Sequence, residues 1–193
     1  SGELAGLLLL LLGVVGATIP LERGDLHVFH VERTMKHDTT SFTEGLFIQD
    51  GILYESTGMW GQSKMISYRL SDMSKLQTES LPGQDFGEGI TCIGDVITQL
   101  TYRGGNVYRY PKSDFQHRSL TKLPNIDVIK EGWGATTDGH HILVSDGSSL
   151  IYKLDAQTLQ IRGSIPVRYR GHPISNLNEL ELVGQYIFAN LFM

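Results

Sequence analysis

FTEGLFIQDGILY, residues 42–54, holds the pattern that decides the fold. An aromatic, an acid and a glycine open a short apolar run, Asp50-Gly51 turns the chain, and a second apolar run follows. The opening returns as FGEGI at 86–90, KEGWG at 130–134 and LNELE at 177–181. With Glu44, Glu88, Glu131 and Asn178 taken as equivalent, the steps are 44, 43 and 47 residues. Each opening is followed by a turn signal (Asp50-Gly51, Gly94-Asp95, Asp138-Gly139, Gly184-Gln185) and then by an apolar run (ILY, VIT, HILV, YIFA). A period in the mid-forties made of short strands predicts an all-β fold, a β-propeller with one four-stranded blade per repeat. That fold carries the same position of every blade to one axis, which is where chemistry is to be sought.

The spacing predicts strands at 46–49, 52–55, 65–70 and 75–80 in the first repeat. The second gives 90–93, 96–101, 106–110 and 115–120, and the third 134–137, 141–145, 149–154 and 159–165. No amphipathic helix is expected. Asn178 to Phe192 supplies two strands of a fourth repeat, and Leu26–Val31 alternates as an isolated strand. An open propeller leaves unpaired edges. The expectation is therefore a ring of five blades, truncated here to about three and a half, with roughly 60–75 residues wanting.

Composition is that of an ordinary globular domain, 40% apolar and 19% charged, enough for one core over residues 21–193. A net charge of −5 without any basic run argues against nucleic acid as a partner, and a monomer is expected. Cys92 is the single cysteine, so no internal disulfide exists; its apolar setting reads as packing rather than nucleophile. Leu4 to Ala17 is almost wholly apolar. It is short for a membrane span, which needs ~20 residues, and fits the apolar part of a signal peptide or a short signal-anchor over residues 1–20. A secretory location follows as an expectation, with membrane contact only through that anchor. The acidic Glu3, where a basic flank is usual, stands against a simple signal.

The strings SFTEGL (41–46), FGEGIT (86–91), EGWGATTDG (131–139), SDGSSLIYKLD (145–155) and GHPISNLNELE (171–181) carry a resemblance. In order and at blade spacing, over about residues 28 to 193, the chain resembles the glutamine cyclotransferase family, the plant and bacterial type of glutaminyl-peptide cyclotransferase. The resemblance implies a five-bladed propeller and an acyltransferase. It would convert the amino-terminal Gln of peptides or proteins to pyroglutamate with release of ammonia, and need no metal or other cofactor.

In that reaction an α-amine attacks its own γ-carboxamide. A carboxylate between them can take the proton from the amine and pass it to the leaving nitrogen. A partly dry aromatic pocket raises its pKa, and a donor is needed for the oxyanion. By resemblance, Glu88 is the acid/base and Asn178 the group that meets the amide or its oxyanion. Phe42, Phe86 and Trp133 line the pocket, with Glu44, Tyr102 and Phe192 beside them. Three of these depart from the family pattern: Glu44 stands where Gln is usual, and Tyr102 and Phe192 where Trp is usual. A lysine expected in a fifth blade lies beyond Met193. These departures leave a second reading open, a propeller that kept the ring and lost the chemistry to become a binding scaffold.

A third reading is a lactonase- or lyase-like propeller with an axial divalent cation held by Glu44, Glu88, Glu131 and Asn178. The remaining features read as structure. Glu131, Glu179 and Glu181 suit blade-locking or surface roles. His27, His30, His37 and Asp38 lack a further spaced ligand set. His140-His141 flanks a turn, Asp146-Gly147-Ser148 is a turn, and Trp60 on its Gly-rich loop is either rim or packing.

Overall fold

The computed structural model describes residues 30, 31 and 33–193. The apolar leader lies outside the described residues, as does the reading of Leu26–Val31 as a strand, save for its last two positions. Among the described residues no helix is long and apolar enough to cross a membrane.

The chain folds as successive up-and-down antiparallel sheets. The first holds β1 (Thr43–Gln49), β2 (Ile52–Thr57), β3 (Lys64–Arg69) and β4 (Ser74–Ser80), in that order. The second holds β5 (Gly87–Ile93), β6 (Val96–Thr101), β7 (Asn106–Pro111) and β8 (Ser119–Lys122). The third holds β9 (Ala135–Thr137), β10 (His141–Ser145), β11 (Leu150–Asp155) and β12 (Ile161–Pro166). A small ribbon, β13 (Arg168–Tyr169) with β14 (His172–Pro173), precedes the pair β15 (Leu177–Val183) and β16 (Tyr186–Leu191). The β13–β14 ribbon was not expected from the sequence pattern.

The sheets meet through their first strands, β1 on β5, β5 on β9 and β9 on β15. Because side chains alternate across a strand, each sheet presents one apolar face to the sheet before it and one to the sheet after. Tyr54, Met65, Ile90, Ile97 and Tyr110 fill the gap between the first two sheets. Leu100, Val107, Ile142, Val144 and Leu154 fill the next, and Leu143, Ile151, Leu177 and Leu180 the last. Outer strands β8 and β12 are exposed along most of their length, as in the rims of propeller blades. The described residues are thus propeller-like.

One predicted strand is corrected. Residues 115–120 do not run straight: Phe115–His117 form a 3₁₀ turn, and β8 starts only at Ser119. Asp114 caps the turn, its carboxylate accepting the Gln116 N–H at 2.9 Å, and Gln77 Oε1 accepts the Phe115 N–H at 3.0 Å. That bend drops Phe115 into the core against Tyr54 and Tyr110, where it is 1% exposed. Burial of one aromatic side chain, worth about 2–3 kcal/mol, outweighs a few ladder bonds on an edge.

Candidate active site

All four first strands begin at the same mouth of the axis, and three begin irregularly. The ladder skips between Thr43 and Gly45 in β1, between Gly87 and Ile90 in β5, and between Leu177 and Leu180 in β15. Glu44, Glu88 and Asn178 lie within these skips. A bulge releases a residue from pairing and re-aims its side chain, so the local backbone turns these three side chains out of the sheets.

Backbone contacts fix the register between blades. The N–H of Gly89 donates to the carbonyl of Trp133 at 2.7 Å. A methyl group on Gly89 would meet Trp133 O and Ala135 N at 2.5 Å, and one on Gly134 would meet Asn178 O at 2.2 Å. Chains this close tolerate no side chain between them. Glu88-Gly89, Trp133-Gly134 and Asn178-Glu179 are therefore the equivalent pairs. The sequence alignment through Glu131 was two residues out of step. The third blade carries Trp133 at the axial position, while Glu131 bridges back to Arg103 of the second blade. The recurring Glu-Gly pair in KEGWG misled the count, because the fold conserves the glycine's closeness and not the acid.

Ser145 locks the third blade to the fourth at this point. Its hydroxyl accepts the Gly134 N–H at 2.8 Å and donates to the Asn178 carbonyl at 2.7 Å. Spacing assigns Ser145 no role; its placement needs the register to be known.

Glu88 is only 6% exposed. Burial, and then the charges of Glu44, Glu179 and Glu131, push its carboxyl well above the usual range. Burial raises Glu44 as well. Glu179 occupies the place held by glycine in the preceding blades. Both of its carboxylate oxygens are shut from solvent and find no hydrogen-bond partner among the described residues, although the residue as a whole is partly exposed. Burial and the charges of Glu181 and Glu44 drive it up; the N–H dipoles of Leu46 and Leu180 pull the other way without reaching bonding geometry.

The aromatic residues fall into two groups. Phe86 is a hub, with Trp60 at 5.5 Å, Tyr102 at 6.0 Å and Phe42 at 6.4 Å, all edge-on. Trp133 and Phe192 form the other group, with centroids 5.8 Å apart. Phe42 and Phe192 are more than half exposed, so they stand at the rim rather than in the depth. Gly58 makes room for the hub: a methyl there would meet the Phe86 ring at 2.3 Å and Glu44 Oε1 at 2.9 Å. Glu44 Oε1 and the edge of the Phe86 ring therefore both crowd the space over Gly58. Trp60, left as rim or packing by the sequence, belongs to the hub.

One carboxylate ties the two groups together. Glu131 Oε1 accepts from Arg103 Nε at 2.9 Å, and Oε2 accepts from the Trp133 indole N–H at 3.2 Å. Arg103 in turn donates to the Tyr102 hydroxyl at 3.0 Å and lies 4.6 Å from its ring centre.

The other candidates settle as structure. His37 Nε2 meets the buried Glu55 carboxylate at 2.7 Å, which Thr43 also reaches at 2.6 Å. Asp38 holds Thr40, and His141 rests against Asp138. His27 lies outside the described residues. Ser148 closes its turn on Asp146 at 3.0 Å, and Cys92 is half-buried beside the core, its thiol pushed up by burial. Among the described residues no group of three or more His, Cys, Asp or Glu is placed to hold a metal ion.

Three comparisons bear on this arrangement. At 29% identity the chain superposes on a glutaminyl cyclase from Myxococcus xanthus with a TM-score of 0.73, covering 84% of this chain and 66% of that one. WD40 repeats of RRP9 share the fold alone, at 9% identity and a TM-score of 0.50 over 70% of this chain and 42% of theirs. A glutaminyl-peptide cyclotransferase of Arabidopsis thaliana is 36% identical over 160 residues, 81% of this chain and 48% of its own length. The chain thus spans about half the length of that curated relative. The sequence profile described as glutamine cyclotransferase matches residues 7–193, and with the bulge-borne Glu88 and Asn178 set around Trp133 the chain belongs to the glutamine cyclotransferase family.

Proposed function

We propose that this chain carries the acyl-transfer site of a glutaminyl-peptide cyclotransferase. The observation that supports it most is a buried carboxyl, Glu88, at a strand entry whose next residue packs on the Trp133 backbone, as Gly134 packs on that of Asn178. In the proposed reaction the α-amine of an amino-terminal Gln attacks its γ-carboxamide carbon. A C–N bond forms, and a tetrahedral oxyanion develops. Glu88 takes the proton shed by the amine and hands it to the departing nitrogen; the old C–N bond breaks and ammonia leaves. The Asn178 carboxamide donates to the oxyanion, a contact worth most in a site with little water. Trp133 and Phe86 hold the side chain curled for attack. Every step uses groups of this chain and the substrate.

The same reading extends to a ring of five blades, of which the described residues provide three complete four-stranded sheets and two strands of a fourth. It extends to peptide or protein substrates met in the secretory route, in keeping with the apolar run Leu4–Ala17.

The test is direct. The chain is incubated with a Gln-initiated peptide, and ammonia and the loss of one ammonia mass from the peptide are followed, with and without a chelator. Turnover indifferent to chelation is expected. Absence of turnover at any pH would favour the binding-scaffold reading, which the Glu44, Tyr102 and Phe192 positions support.

A further inference from the structure

We propose that Trp60 is a specificity-determining residue: with Phe86, Met59 and Phe42 it forms the subsite for the side chain that follows the amino-terminal Gln, and it selects aromatic or large aliphatic residues there. The proposal rests on the cyclotransferase reading of the Glu88 site and deepens it.

Trp60 stands on the loop between β2 and β3. That loop is fixed. Gly58 N–H donates to Phe42 O at 2.7 Å, Gln62 N–H to Met59 O at 3.0 Å, the Ser63 hydroxyl to the same carbonyl at 2.9 Å, and Gly87 N–H to Ser63 Oγ at 3.0 Å. The last bond ties the loop to the residue before Glu88. Met59 is held at φ +82, a conformation costly for a residue with a side chain. The outcome of this strained, pinned loop is to present two large apolar side chains to water, Trp60 at 53% and Met59 at 43% exposure. About half of each side chain stays in water, although Trp60 keeps its edge-on contact with Phe86, and strain at an exposed apolar pair is characteristic of binding sites.

The position relative to the chemistry selects the occupant. Phe86 precedes Glu88 by two residues, and Trp60 flanks its ring at 5.5 Å. A substrate whose Gln lies at Glu88 must send its second residue outward. One residue of extended chain covers about 3.3–3.6 Å, and the proposal seats the second side chain on the Phe86–Trp60 edge, which belongs to the same strand entry as Glu88. The ring neighbours of Phe86 are aromatic, Trp60, Tyr102 and Phe42, and the cation beside this group, Arg103, is engaged by Glu131 and the Tyr102 hydroxyl. An apolar side chain is the group that this surface favours.

The experiment compares kcat/KM for Gln-Phe-amide and Gln-Gly-amide in the full chain and in Trp60→Ala and Trp60→Phe. The parent should prefer Gln-Phe-amide about 5- to 30-fold. Trp60→Ala should erase most of that ratio, through KM rather than kcat, and Trp60→Phe should keep most of it. Trp60 is solvent-facing, so the variants fold. A parent without preference, or a ratio untouched by Trp60→Ala, would overturn the proposal. If no Gln peptide is turned over, the cyclotransferase reading fails by itself. The subsite is then judged by equilibrium binding of pyroglutamyl-phenylalanine amide against pyroglutamyl-glycine amide. A preference of at least fivefold that Trp60→Ala removes would sustain it, and equal binding would end it.

Discussion

Glu131 accepts the indole N–H of Trp133 at 3.2 Å with one oxygen and Arg103 Nε at 2.9 Å with the other. A residue that looked axial in the sequence is instead a strut between two aromatic walls from different blades. Glu131→Ala should release Trp133 and, through Arg103, the Tyr102 ring. Losing hydrogen bonds of about 1 kcal/mol predicts a KM raised about 3- to 10-fold with kcat nearly held. Melting should hardly move, because Arg103 is exposed and pairs of that kind contribute little. Glu131→Gln keeps an acceptor for the indole and should fall between. Steady-state kinetics on a Gln dipeptide checks this; a fall in kcat alone would mean Glu131 acts in the chemistry.

On the proposed mechanism, Glu44 should set the working pH through Glu88. Burial raises the Glu88 carboxyl first, and the charge of Glu44 raises it further. Glu44→Gln removes that charge and keeps the shape, so Glu88 should ionise more readily. The limb of the pH–rate profile governed by Glu88, acidic or basic, should move to lower pH by roughly one unit. A profile that stays in place would show that the two carboxyls do not interact.

Two glycines make space for the pocket walls. A methyl on Gly147 would meet the Trp133 ring at 2.6 Å, and one on Gly58 would meet the Phe86 ring at 2.3 Å. Gly147 also has φ +78, which adds backbone strain to its substitution. Each Gly→Ala variant should destabilise by about 1–3 kcal/mol and raise KM if, as proposed, the displaced ring lines the site. Denaturant melts and kinetics read both effects. Unchanged KM in either variant would place that ring outside the pocket.

Glu179 limits stability in alkali. Its buried carboxyl is raised, so the native state holds the proton more tightly than the unfolded chain. Above the unfolded value of about 4.3 the native state therefore binds more protons, and stability falls as pH rises toward the folded value. Glu179→Gln removes the penalty. The variant should match the parent near pH 4 and exceed it by about 1–2 kcal/mol near pH 8, as read by thermal melts at the two pH values. An equal gain at both would show that ionisation is not the cause.

Much of the fold was legible because strands and turns recur at fixed offsets. Thirteen of the four-repeat strand positions sit where Asp-Gly and Gly-Asp turns and alternating residues put them, since turn chemistry and burial act locally. Phe115 was misread because its destination, a gap between sheets, is a tertiary fact that strand periodicity does not carry. In the candidate site, Glu88, Trp133 and Asn178 are named by their motifs. Glu131 was placed on the axis because an acid was counted where the backbone counts a close approach at glycine. Trp60 was open between rim and packing and Ser145 had no role: what defines them is a ring edge 5.5 Å away and a hydroxyl bridging two blades, neither of which sequence spacing encodes.

The account turns on Glu88 as the group that moves the proton. Single-turnover conversion of a Gln-initiated peptide to its pyroglutamyl form, compared between the chain and Glu88→Gln with the fold checked by circular dichroism, tests it most directly. The account predicts unchanged spectra and a rate lower by at least 10²-fold in the variant. Conversion at the parent rate in Glu88→Gln would contradict it.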